Sequence, residues 1–132
     1  MFSMIHPIDP TPTIRGIAAA KMEAPALLAV KFDTSGKLAV PSAGDFCIGI
    51  VLATTDAVAA GDEIDVQIKD IGYWMAGGTI TKGAMLKTDA TGKAVVAAAG
   101  DVVFAVALED GTSGQPCKVM ICHTVIPAAA GN

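Results

Sequence analysis

Charge, aromatic rings and histidine are all scarce in this chain, and each shortage argues against a class of function. Charged residues fill 17% of the 132 positions, and acids outnumber bases for a formal net charge of −4. A protein that tracks a phosphate backbone needs a basic stripe. Here the lysines are scattered, with Lys37 and Lys93 in turn-like settings, so no nucleic-acid partner is expected. Aromatics are only 5%, whereas large cofactor cavities are usually walled by rings, so no cofactor is expected either. The two histidines, His6 and His123, complete no Ser-His-Asp or Cys-His set with the residues around them, and an enzyme is not expected. Three cysteines are too few, and odd in number, for a disulfide scaffold. The longest apolar stretch, 94–108, is broken by Gly100-Asp101 and is too short to cross a bilayer, so no membrane partner is expected. The opening MFSMIHPIDP has neither a basic n-region nor an apolar h-region, which points to synthesis in a cytoplasm.

What the chain does have is an internal repeat. Residues 31–52, KFDTSGKLAVPSAGDFCIGIVL, lie over residues 87–108, KTDATGKAVVAAAGDVVFAVAL. The identities are Lys31/Lys87, Asp33/Asp89, Gly36/Gly92, Lys37/Lys93, Val40/Val96, Ala43/Ala99, Gly44/Gly100, Asp45/Asp101 and Leu52/Leu108. After a three-residue deletion the match resumes with 61–68 over 114–121. Self-similarity over such a span describes architecture before it describes chemistry. It implies an all-β chain, a small barrel or sandwich of two modules at about 26–78 and 82–131, forming a single domain over 17–132. The clearest strand is 63–68, where Ile64, Val66 and Ile68 alternate with Glu63, Asp65 and Gln67, the signature of one wet face. Further strands are expected over 27–32, 37–40, 46–53, 85–88, 93–97, 102–108 and 117–123. Residues 17–23 are the only helix candidate and could equally be a strand.

The repeated residues are turn and core formers. Asp33, Asp45, Asp89 and Asp101 could be drawn as carboxylate pairs for a metal or for acid–base work. Each, however, stands beside a turn glycine with no further ligand at useful spacing, so turn capping is the expectation and no metal is assigned. Cys47 matches Val103 and reads as a small buried apolar residue. Cys122 and His123 are strand neighbours that face opposite ways and cannot share a metal. Lys21, in Ala-Lys-Met-Glu, resembles a biotinyl lysine; that reading leaves a carrier or small-ligand barrel as the alternative function. Only the methionine after the lysine is present, however, and too little chain precedes it for a carrier domain. An exposed edge lysine is the simpler account.

Residues 1–16 read as an extended arm. Pro7, Pro10 and Pro12 remove backbone donors and exclude a helix or a central strand there. Tyr73-Trp74-Met75 holds the chain's one Tyr and one Trp, in the stretch joining the modules. They serve either core packing at the seam or an interface anchor. Met120 matches Gln67 and should project outward, which hints at burial against a partner. Pro7, Pro10, Pro12, Tyr73, Trp74 and Met120 are therefore the candidate interface residues.

The second module strings together Gly78-Thr-Ile-Thr-Lys-Gly83, Asp89 with Gly92-Lys93, Ala99-Gly100-Asp101, Ala105 to Asp110, and Val119-Met120-Ile121. In these residues it resembles the capsid decoration, or cement, proteins of tailed phages. The first module carries the pattern more weakly, with Ala53-Thr54 where Glu109-Asp110 stand, and coverage is roughly 26–123. The resemblance implies a non-enzymatic virion protein on the capsid exterior that cements neighbouring capsomers. Its partners would be the major capsid protein and copies of itself, a homotrimer before a homodimer. Another virion adaptor role fits the same motifs.

Overall fold

The computed structural model describes residues 10–128. Among the described residues ten strands follow in order: β1 (Thr13–Ile17), β2 (Ala29–Phe32), β3 (Leu38–Ala39), β4 (Gly49–Val51), β5 (Glu63–Gln67), β6 (Ile71–Met75), β7 (Met85–Thr88), β8 (Ala94–Val96), β9 (Val102–Ala107) and β10 (Pro116–Val125). They form two five-stranded antiparallel sheets in the orders β1-β5-β4-β2-β3 and β6-β10-β9-β7-β8. The two orders are the same order, so β1 corresponds to β6, β2 to β7, β3 to β8, β4 to β9 and β5 to β10. The chain is all-β, as its alternating pattern and turn chemistry require, and residues 17–23 form no helix.

The repeat reaches further toward the N-terminus than the aligned residues suggest. Residues 13–16 fall inside the stretch expected to be an arm, yet they belong to β1, which pairs with β5 from Thr13↔Gln67 to Ile17↔Glu63. No proline interrupts 13–17, so every residue of β1 can donate a backbone N–H, and every one but Gly16 can pack a side chain. Pro12 itself contributes its carbonyl, which accepts Ile68 N–H at 2.8 Å. Residues 71–75, placed by the sequence between modules, are the matching first strand of the second. Each sheet then curls until its ends meet. Ala18 bridges Leu38 and Ala76 bridges Ala94, both in parallel fashion. Ala19 N–H donates to Leu38 O at 2.8 Å, and Gly77 N–H to Ala94 O at 2.7 Å. Closing a sheet on itself leaves little free edge.

The repeated aspartates cap turns. Asp33 Oδ1 accepts the Ser35 and Lys37 N–H groups at 2.8 and 2.9 Å, and Asp89 Oδ1 accepts those of Thr91 and Lys93 at the same distances. Gly36 and Gly92 follow at φ 78° and 86°, a backbone region costly for any side chain. Where the second copy has Gly83 at φ 90°, the first has Leu27 at φ 62°.

One cluster, Ala18, Met22, Val30, Leu38, Val51, Ile64 and Val66, fills the first barrel with its own residues. The second is mixed. Trp74, Ala76, Ile80, Leu86, Ala94, Phe104, Cys117 and Val119 come from module two, but Ala29, Cys47 and Ile50 come from module one. Module one therefore plugs the mouth of module two. Gly92 O accepts both Ala29 N–H and Trp74 Nε1–H at 2.8 Å, tying the plug to the rim.

Candidate contact surface

Strand register decides which side chains share a face. In the second sheet Ile71 pairs with Met120, Met120 with Val106, and Val106 with Met85. Directly paired residues point the same way, so these four make one row across β6, β10, β9 and β7. The row faces outward, since the alternate residues Val119, Ala105 and Leu86 are buried in the core. Ile71 is 59% exposed, and Met120 and Met85 are each 42% exposed. Tyr73 stands on the same face two residues along β6 and is also exposed.

The matching row in the first sheet runs Thr13, Gln67, Ile50, Ala29. Its inner half is the plug: Ile50 is 1% exposed and Ala29 is sealed. Its other residues are polar, and the same face carries an ion pair of Arg15 with Asp65 at 2.9 Å. The two outward faces thus differ in chemistry, one charged with a buried apolar patch, the other apolar and open.

The candidate interface residues are not one cluster. Pro7 lies outside the described residues. Pro10 and Pro12 are exposed ahead of β1. Met120 projects outward, in the middle of the apolar row. Trp74 does not present itself to a partner: it is fully buried, packed edge-on to Phe104 with ring centroids 5.1 Å apart, and its indole N–H is satisfied by Gly92 O. Its place as an anchor is corrected, because its alternation along β6 turns it inward while Tyr73 turns out. Ile71, Val106 and Met85 escaped the sequence analysis. Their only signal is cross-strand adjacency to Met120, which needs the register.

The ionisable groups serve the turns and the seam. Lys31 Nζ lies 2.6 Å from Asp45 Oδ2, and Lys87 Nζ lies 2.8 Å from Asp101 Oδ2. All four residues are identities of the repeat, so the pair itself is duplicated. The lysine, with a backbone N–H from Ser42 or Ala98, holds each carboxyl below its ordinary value. Burial pushes the Cys47 thiol up to about 12, as suits an apolar filler. His123 sits at a bulge in β10, where pairing with β9 shifts between Ile121 and Thr124, so strict alternation does not govern Cys122-His123. Its Nε2–H donates to Cys47 O at 2.9 Å, and its ring stacks on Phe46 at 4.9 Å, again across the seam. Among the described residues no three His, Cys, Asp or Glu side chains gather as metal ligands. Lys21 lies in the loop after β1, largely exposed and paired with Glu23 at 2.9 Å.

No family model and no curated protein matches the chain. Its fold is similar to a solved structure, the head fiber gp8.5 N base of bacteriophage phi29. The TM-score is 0.63 at 22% sequence identity, and the match covers 83% of this chain and 92% of that one.

Proposed function

We propose that the chain is a non-enzymatic structural protein of a phage virion, bound to the outer surface of the capsid, where it cements neighbouring capsomers as a homotrimer. The observation that carries this reading is the fold shared with a phage head fiber base over most of both chains. The decoration-protein motifs of the second module point the same way. A protein that prefers the mature shell over its precursor stabilises the mature state by that difference in affinity. Several weak contacts around a symmetric oligomer strengthen one another through effective concentration.

The proline-bearing residues 1–12 are the attachment segment in this reading, able to lie along a capsid strand edge by backbone hydrogen bonds. The test is binding of the full chain, and of a chain lacking residues 1–12, to heads assembled without the protein, imaged by cryo-electron microscopy. Ordered density on the outer shell for the full chain, and its loss on deletion, are expected. Heads that stay bare with the full chain sink the virion-surface reading, and unchanged binding on deletion sinks the role of the segment. The deletion spares β1 from Thr13 onward and removes one backbone hydrogen bond of the sheet, Ile68 N–H to Pro12 O.

The name of the structural neighbour favours a second reading of the same class, an adaptor at the base of a projecting fiber. In that case density would sit at isolated positions beneath a projection rather than across the shell. The carrier reading of Lys21 needs a mass increment on that lysine in protein purified from its native source.

A further inference from the structure

Within the chain, module one plugs module two head to tail. Ala29 and Ile50, from the outward row of the first sheet, close a mouth rimmed by Thr88, Gly92 and His123 and floored by Trp74 and Phe104. A contact between two different surfaces of repeated units leaves one surface of each kind unused. The unused plug is on module two, where Met85 and Val106 take the places of Ala29 and Ile50. The unused mouth is on module one, where Phe32 and Gly36 take the places of Thr88 and Gly92, and Gly16 and Ile48 those of Trp74 and Phe104.

Both unused surfaces are open; the plug is apolar, and the mouth is apolar except at its rim, where exposed Asp70 takes the place of His123. Met85 is 42% exposed against 0% for Ala29. Phe32 is 46% exposed against 0% for Thr88, and Ile48 is half-buried where Phe104 is sealed. Nothing lies within 4 Å of a side chain added at Gly36, whereas at Gly92 it would meet Ala29 O at 2.7 Å. The residues at the two sites also differ in size: Gly16 and Ile48 stand where the filled mouth has Trp74 and Phe104, and Met85 stands where the seated plug has Ala29.

We propose that the second module of one copy plugs the first module of the next through Met85 and Val106, repeating the internal seam between chains and closing a ring of three. The occupant of each free mouth is a second copy of this chain. This rests on the self-association in the proposed function, but not on capsid binding. A monomer that still decorates heads would overturn the ring and leave the virion role standing.

Two variants test it by sedimentation velocity and native mass spectrometry of the full chain. Met85→Lys disables the plug and Phe32→Lys disables the mouth. Both sites are surface-exposed, and circular dichroism verifies that each variant is folded. The unmodified chain is expected as a trimer, and each variant alone as a monomer of one third that mass. Mixed in equal amounts, the two variants should pair into a heterodimer that grows no further, because only one good plug and one good mouth remain between them. A monomeric unmodified chain, a variant that still trimerises, or a mixture that stays monomeric each overturns the proposal. So does a simple twofold dimer, since a self-complementary contact does not use two different surfaces.

Discussion

The two modules share a strand order, turn caps and a duplicated lysine–aspartate pair, yet they solve the interior of the barrel differently. In the second, Trp74 fills the floor and Ala94 makes room for it. In the first, Gly16 stands at the position of Trp74, and Leu38, at the position of Ala94, lies directly above it: a side chain added at Gly16 would meet Leu38 Cδ1 at 2.5 Å. The bulk has moved from one strand to the facing one. The lesson is that a repeat conserves the backbone's demands, such as left-handed glycines and aspartate caps, more strictly than it conserves which strand supplies volume. The outward faces diverge further, since one half of each pair must bury what the other leaves open.

The largest expected effect comes from removing the bulk of the second floor. Trp74→Ala should cost about 3–5 kcal/mol in urea unfolding, because a fully buried ring and its neighbours' packing are lost together. A cost below 1 kcal/mol would mean that the seam, rather than the floor, carries the second barrel. Next come the paired glycines. Gly36→Ala should cost about 1–2 kcal/mol, the penalty of a left-handed Ala in open space. Gly92→Ala should add about 1–3 kcal/mol of overpacking against Ala29 O across the seam. Equal costs at the two positions would break the claim that one copy of this turn is packed and the other free.

A smaller effect tests what the modules hold in common. The carboxyls of Asp45 and Asp101 ionise below the ordinary aspartate range in the folded chain, held down first by Lys31 and Lys87, so each adds stability above the unfolded value that is lost as the pH falls through the lowered one. Asp45→Asn and Asp101→Asn should each flatten the acid limb of a stability–pH curve by a similar small amount. Solvent screening keeps both contributions modest. The smallest contrast is chemical. In a thiol titration of the native protein at neutral pH, half-buried Cys122 should react first, with Cys47 and Cys117 protected until unfolding. Cys47 labelling as fast as Cys122 would place a gap in the seam.

Much of this architecture was legible in the residues. Period-2 alternation marked β5, and the matched Asp-x-x-Gly turns marked β2–β3 and β7–β8. Strands β1 and β6 escaped because their sequences, TIRGI and IGYWM, share no identity, and the prolines just ahead of β1 disguised it as arm. The outward position of Met120 followed from its match to Gln67. The apolar row around it did not, because Met85, Val106 and Ile71 lie at least 14 positions away and only hydrogen-bond register brings them together. The inward turn of Trp74 likewise depended on knowing that β6 was a strand at all.

The shared seam also sets an order of assembly. Every member of the first barrel's inner cluster lies between Ala18 and Val66, so that barrel is fully specified before the second has left the ribosome. The second cluster cannot close until Ala29, Cys47 and Ile50 are in place. Synthesis from the N-terminus therefore delivers the template before the part that needs it. A chain with its modules in reverse order would expose Trp74 and Phe104 to water while waiting for their plug.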